Sequence, residues 1–412
     1  DVRVTHDAHG LIIGTSAMTR TLTFTPGVPS AVIPSSYRVT GGDEMFGRNT
    51  PWFSIRLGGA LWTNRDPVWM FAGDSSRSLQ NGGTETRLRF TGTAAARDLQ
   101  WELTIQSFPH STLSRERIHF SARAGARIAI GAAPGEPLLV FPAYRFRHGV
   151  SGRVHDRAVS LAVWGNELAT LDPEASFDDR SLESGTRIGK NLAQNYMYHP
   201  AATAAVAGPG DEIAGAGPVL LVDTLADGRG LFFAYEHGAP DRDPEQEYIH
   251  IRRIHREDEV EISTVYRAGL SGSGEYLGGD RSLASVWNVL GCYDAREPGA
   301  GPALMRDFLQ DKITEAHHSR TPHFYYNTWG MQRDEERKGA DVRNVLTPER
   351  VLREIELAKR MNVELFVLDD GWQERFGDWT PDHKRYPSGL TWYVDALRSR
   401  GMIPGIWIAP LA

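Results

Sequence analysis

The stretch that most constrains how this chain can fold is Val363-Glu364-Leu365-Phe366-Val367-Leu368-Asp369-Asp370-Gly371-Trp372. Residues 363–368 are too short and too even in pattern for an amphipathic helix. They read as a strand buried on both faces, as the strands of a parallel sheet are. Gly371 breaks the strand and lets the backbone turn. Asp369 and Asp370 therefore stand at its C-terminal end, where open α/β sheets and (β/α)8 barrels gather their ligands. Acidic residues also close strands as turn formers or helix caps, so the pair alone is ambiguous. Trp372 and Trp379 sharpen the reading. Carboxylates accept hydrogen bonds from adjacent hydroxyls, and a flat indole covers the apolar face of a pyranose.

The flanking pattern supports a parallel α/β unit from residue 322 onward. Residues 324–328 form a predicted strand ending at Trp329-Gly330, followed by a long loop whose charged run 333–338 reads as a solvated face. Thr347-Pro348-Glu349 is a helix start: a Thr cap, Pro in the first turn and an acid at the positive dipole end. Val351, Ile355 and Ala358 mark one face of that helix. A second helix spans about 390–400, with Gly401 as its stop, and a third strand covers 405–409. Strand, helix, strand, helix, strand begins a parallel sheet. Its two βα loops, roughly 18 residues each, exceed the usual length and point to function.

Residues 1–295 have a different rhythm. Short alternating or apolar segments recur at 21–25, 87–91, 100–108, 117–122, 138–141, 158–164, 219–223, 231–235, 248–254 and 260–266, separated by Gly, Pro, Asp and Asn clusters. In 101–105 and 118–122 the apolar residues fall at every second position, the mark of strands with one buried face. A large antiparallel β-sandwich is the expectation. The Gly-rich segment 269–279 reads as a flexible loop. Leu283, Val286, Trp287 and Leu290 fall at helical spacing and predict a helix over 282–290. A second stripe predicts one over 302–313. The expected organisation is a sandwich at 1–295, a helical linker at 296–321 and the parallel unit at 322–412.

Composition excludes several function classes. A formal charge of −7 leaves no basic footprint, so no nucleic-acid partner is expected. No apolar run approaches the ~20 residues that span a bilayer, so no membrane partner is expected either. One cysteine, Cys292, excludes an internal disulfide framework and any multi-cysteine metal site. His317-His318 lack an accompanying ligand pattern, so no metal is assigned. The chain opens at Asp1 without a charged, apolar leader, which fits either a removed leader or an internal start, and both exported and cytoplasmic compartments stay open.

The ordered motifs Asn327-Thr328-Trp329, Leu368-Asp369-Asp370-Gly371-Trp372, Gly377-Asp378-Trp379, Tyr386-Pro387-Ser388-Gly389-Leu390 and Gly401-Met402…Gly405-Ile406-Trp407 resemble glycoside hydrolase family 36, the α-galactosidase family. The resemblance covers roughly residues 322–410, and the family's large N-terminal β-sandwich agrees with residues 1–295. It implies a multidomain fold: an antiparallel β-sandwich followed by the first part of a parallel (β/α)8 TIM barrel. It implies that Asp369 and Asp370 hydrogen-bond galactose hydroxyls, O4 and O6, and that Trp329 and Trp407 wall the same subsite. Trp372 is a further sugar-facing candidate, with packing of its loop an equal reading.

A retaining glycosidase needs a nucleophile and an acid/base about 5–5.5 Å apart. In the family these are an Asp of a Lys-x-Asp motif ending the fourth strand and an Asp beyond the sixth. The sequence ends directly after the third strand, so both are expected beyond Ala412; Asp369 and Asp370 are poor substitutes, because neighbouring residues on a strand diverge. Three strands and two helices do not close an eight-stranded barrel, so the chain reads as part of a longer polypeptide, inactive alone. The expected function is a retaining α-galactosidase-type hydrolase acting on α-galactosides without a cofactor. A homo-oligomer is compatible with the resemblance. α-N-acetylgalactosaminidase, a raffinose-synthase-like galactosyl transferase and a non-catalytic glycan-binding protein are the alternatives.

Overall fold

The computed structural model describes residues 1–131, 136–147, 154–159, 202–207, 212–215, 219–222, 225–237, 249–256, 258–267, 275–313 and 321–409. Residues 160–164, most of the 269–279 segment and His317-His318 lie outside them. The chain divides into two compact units, Asp1–Glu315 and Ala316–Ala412.

Unit one is built from antiparallel sheets. The largest runs Ala202–Ala207, Val154–Val159, Val219–Val222, Arg229–Tyr235, Asn288–Asp294, Ser114–Ala122, Leu99–Ser107, Thr84–Gly92 and Trp69–Ser78, with Leu283–Ala284 added beside Ser114–Ala122. A second follows the order Glu212–Gly215, Ile249–His255, Glu259–Arg267, Pro137–Arg147, Ser54–Leu57 and Ala60–Thr63. A four-stranded meander covers Arg3–Asp7, Gly10–Gly14, Met18–Thr23 and Ile33–Val39. The period-2 pattern decides which face goes inward. Trp101, Leu103 and Ile105 are buried, as are Ile118 and Phe120, while Glu102, Thr104, Arg117 and His119 between them face out. The inner faces of the two large sheets meet over aromatic rings. Phe90 stacks on Trp101 at 4.2 Å between centroids, and Phe53 meets Trp101 edge-on at 5.1 Å.

A charged pair, Arg20 and Glu116, lies wholly inside this core. Arg20 donates to Glu116 at 2.7 Å, to Ser114 at 3.2 Å and to Tyr144, whose hydroxyl donates to Glu116 at 2.6 Å. Arg20 belongs to the meander, Glu116 to the largest sheet and Tyr144 to the second, so this network ties three sheets together. Cys292 is buried in the same core, and burial pushes its thiol up to about 12.

Two sequence expectations fail here. Residues 282–290 are not a helix: Leu283–Ala284 is a short strand, and Asn288–Asp294 pairs along its whole length with Arg229–Tyr235. The Asn288–Asp294 strand is covered on both faces. Leu290 and Cys292 enter the inter-sheet core while Val289 and Tyr293 enter a second cluster, which erases the polar alternation that marks a strand. That second cluster is closed by the helix Ala300–Asp307 and the turn Phe308–Ile313, whose Met305 and Phe308 pack on Phe232 and Val289. The segment expected to link units is therefore part of unit one up to residue 313.

Unit two is a three-stranded parallel sheet, Tyr325–Asn327, Leu365–Leu368 and Ile403–Ile406, with the Leu365–Leu368 strand in the middle. The helices Pro348–Arg360 and Thr391–Arg398 make the crossovers. Thr347 caps the first, accepting from the Arg350 N–H at 3.2 Å, with Pro348 as its first residue. Gly401, at φ +75°, turns the chain out of the second. Phe366 and Leu368 are buried with Val351, Ile355 and Leu397. The register places Tyr325, Leu365 and Ile403 in one row and Asn327, Val367 and Gly405 in another, both on the opposite sheet face. Tyr325 and Ile403 are 55 % and 46 % exposed, so this face is open among the described residues.

A further difference concerns residues 329–337, expected as loop. They form a helix, Trp329–Arg337. The charged run lies on it as ion pairs one turn apart, Lys338 meeting Asp334 at 2.7 Å.

Candidate functional site

The site is assembled at the C-terminal ends of the three parallel strands. Val367 pairs with Asn327 and with Gly405, so Asp369, two residues further on, continues the open-face row. Asp369 is 7 % exposed. Its backbone N–H donates to the Thr328 hydroxyl at 2.9 Å, and its Oδ2 accepts from Asn327 Nδ2 at 2.6 Å. Asn327 Oδ1 in turn accepts from the Trp329 N–H at 2.7 Å, which seats the start of the Trp329–Arg337 helix beside the carboxylate.

Asp370 points elsewhere. Its Oδ1 accepts from Gln373 Nε2 at 2.6 Å, and its Oδ2 lies 3.8 Å from the Arg343 guanidinium. Its N–H donates to Asp369 Oδ1 at 2.7 Å, so the two carboxylates are linked through the backbone and diverge. Gln332 anchors the turn from below, donating to the Asp370 carbonyl at 2.7 Å and to the Val342 carbonyl at 3.1 Å. Gly371 is required there. It sits at φ +104°, and a Cβ would lie 2.9 Å from the Arg343 Cα. Arg385 closes the turn, donating to the Gly371 carbonyl at 2.6 Å.

The tryptophans divide into two groups. Trp329 and Trp407 are half-buried, Trp329 with the Arg333 guanidinium 5.7 Å from its ring centroid. Trp407 is drawn beside the doublet by its N–H, which donates to the Leu368 carbonyl at 2.9 Å. Trp372 differs from its sugar-facing expectation. It is 3 % exposed within the core of the unit, and its indole N–H donates to the Trp407 carbonyl at 2.8 Å. It braces the wall from behind. Trp379 lies 6.0 Å from Trp407 and 6.3 Å from Trp372, and Phe376, 41 % exposed, completes the aromatic cluster. Behind the sheet, burial and the Glu354 carboxylate hold the Tyr326 hydroxyl well above its ordinary pKa.

Several residues that shape the site carried no assigned role in the sequence. Asn327 and Thr328 stand inside a quoted motif, and their position at a strand end was the available signal. Gln332 and Gln373 had none, because a polar residue in a loop or on a helix face is ordinary. The arrangement presents two carboxylates with acceptor positions left over, in a corner rimmed by indoles: chemistry suited to a polyhydroxylated ligand.

No family model matches the chain. The α-galactosidase of Escherichia coli is 30 % identical over 138 residues, which is 32 % of this chain and 18 % of that protein. The structure of the GH36 α-galactosidase AgaB from Geobacillus stearothermophilus superposes with a TM-score of 0.62 at 11 % identity, over 99 % of this chain and 57 % of its own. The chain resembles the N-terminal region of glycoside hydrolase family 36. A variant of the family 36 enzyme AgaA from the same organism, solved in complex with raffinose, superposes with a TM-score of 0.60 at 10 % identity, over 97 % of this chain and 56 % of its own. The antiparallel sheets of unit one match the family's N-terminal β-sandwich, and the chain spans little more than half the length of these solved relatives.

Proposed function

We propose that this chain supplies the β-sandwich and the first three strands of a (β/α)8 catalytic barrel, starting near residue 322, in a retaining glycoside hydrolase that releases terminal α-linked galactose. The observation that carries this reading is Asp369. A carboxylate nearly closed to solvent, at the end of the middle parallel strand and on the face away from the helices, is costly unless its charge is used. Asn327 and the Asp370 N–H occupy part of its acceptor capacity and fix its direction. The remaining lone pairs are free to accept sugar hydroxyls. Asp370 serves a second hydroxyl from the other side of the turn, and Trp329 and Trp407 cover the apolar face of the ring.

In this reading neither aspartate attacks the sugar. A retaining mechanism places two carboxyl groups about 5–5.5 Å apart across the scissile bond, whereas Asp369 and Asp370 diverge from adjacent backbone positions. The nucleophile and the acid/base come from later strands of the barrel. The open face bearing Tyr325, Leu365 and Ile403 fits the interior of such a barrel, filled when further strands close over it.

The test has two parts. The coding sequence following Ala412 should encode a Lys-x-Asp at the end of a fourth strand. The complete polypeptide should hydrolyse p-nitrophenyl α-galactoside in preference to the matched α-N-acetylgalactosaminide, with Asp369→Ala lowering kcat/KM by about 100-fold or more. Absence of the motif, or galactose binding without turnover, contradicts the hydrolase reading and favours a glycan-binding protein.

A further inference from the structure

The outer face of the largest sheet carries a cleft of about 420 Å³, far in sequence from the aspartate doublet. Register explains its floor. Arg89, Glu102, His119 and Ala284 form one rung across four strands, and Arg87, Thr104 and Arg117 form the next. Glu85, Gln106 and Arg115 form a third. The wall arises where the Ser114–Ala122 strand changes partner. It pairs with Asn288–Asp294 at residues 114–116 and with Leu283–Ala284 at residues 119–120. The chain between those partners, through Ser285 to Trp287, rises along the cleft. Ser285 pins it, its hydroxyl accepting from the Ile118 N–H at 3.1 Å and its carbonyl from Arg117 Nε at 2.9 Å.

The lining is built for a neutral, hydroxyl-rich ligand. Among the lining side chains the carboxylates Glu85 and Glu102 match the guanidiniums Arg87 and Arg117 one for one; of the other arginines on these rungs, Arg115 is paired with Glu236, and Arg89 is exposed and does not line the cleft. Glu85 is engaged by Arg77, Arg87 and Gln106, whereas Glu102 and His119 have no hydrogen-bond partner among the described residues. His119 is half-buried and adjacent to Glu102 in register; burial holds its pKa below the usual histidine value, with Glu102 opposing the shift and Arg117 adding to it. A neutral imidazole offers one N–H and one lone pair, matching the dual character of a hydroxyl. Trp287 supplies the flat surface. Its ring is held by the Arg115 guanidinium, 4.2 Å from the centroid, and Arg115 is itself fixed by Glu236 at 2.5 Å and Gln106 at 2.9 Å. A rigid indole beside a carboxylate, a guanidinium and an imidazole, in a volume within the ~300–1,000 Å³ of small-molecule sites, is a sugar-binding composition.

We propose that this cleft is a second glycan-binding site on the sandwich, taking neutral oligosaccharide through Glu102, Arg117, His119 and Trp287. It stands on the cleft alone and does not require the doublet to bind sugar.

Raffinose serves as the neutral probe and inorganic phosphate as the anionic one, each titrated into the 412-residue chain with saturation-transfer NMR and tryptophan fluorescence. A shallow polar site should bind raffinose with a Kd on the order of 1 mM. Measured in an Asp369→Ala background, which removes the contribution of the doublet, His119→Ala and Glu102→Gln, both on the solvent face of well-paired strands, should each weaken it by about tenfold. Circular dichroism confirms folding of each variant, and Thr104→Val provides a third substitution that keeps the strand. Raffinose binding unaltered by the cleft substitutions, absence of saturation, or a site that takes phosphate in preference to raffinose would each overturn the proposal.

Discussion

Asp369 spends part of its acceptor capacity on the protein, and that defines what Asn327 does. Asn327→Ala should leave the carboxylate unpaired on one side and free to rotate. The expected result is roughly tenfold weaker galactose binding and a stability loss of about 1–3 kcal/mol, read by titration and by chemical denaturation. Asn327→Asp should be worse than Asn327→Ala, because it sets two carboxylates at hydrogen-bond distance. Glu85 gives a pH test in the other unit. Burial would raise its pKa, but hydrogen bonds from Arg77, Gln106 and Arg87 hold it down at about 2. Its folded value lies below the unfolded one, so it contributes stability that is complete above about pH 5 and lost as pH falls toward 2. Acid unfolding curves of Glu85→Gln should therefore differ from the parent most at neutral pH and converge at the acid end.

At the scale of elements, the Pro348–Arg360 helix is announced by its cap, and Thr347→Ala should cost about 1 kcal/mol in denaturant titrations. The first two parallel strands and both crossover helices were readable, because strand length, cap chemistry and the apolar stripe at Val351, Ile355 and Ala358 agree, whereas the third strand, expected at 405–409, lies at Ile403–Ile406. The Trp329–Arg337 helix was not readable. Its polar face hides an inward side formed chiefly by Gln332, whose burial depends on the backbone carbonyls of Val342 and Asp370. The segment 282–290 was misread for a different reason. Leu283, Val286, Trp287 and Leu290 have helical spacing, yet long-range pairing of Asn288–Asp294 with Arg229–Tyr235 overrides it. At the site, the position of Asp369 and Asp370 at a strand end was visible in the sequence, while the burial of Trp372 and the polar residues that orient the doublet were not. Gly371 shows how tightly the turn is drawn. Gly371→Ala should shift Arg343 and Asp370 and weaken galactose binding in the same titration, with little change in far-UV circular dichroism.

For the whole molecule, the Arg20–Glu116–Tyr144 network is the point where three sheets of unit one are joined by charge rather than by apolar contact. Removing one partner leaves the other charged and buried. Arg20→Met or Glu116→Leu alone should each cost about 3–5 kcal/mol, and the double substitution should cost much less than their sum. Equal, additive losses would mean that the pair is not coupled. The sandwich and the parallel unit also carry separate expectations for sugar: a shallow cleft on the outer sheet and the aspartate doublet at the strand ends. Sugar binding by Asp369 at the strand ends is the central claim. Calorimetric titration of the complete polypeptide with galactose, side by side with its Asp369→Ala variant, tests it most directly: the predicted result is saturable binding that weakens at least tenfold in the variant, and identical isotherms for the two proteins would contradict it.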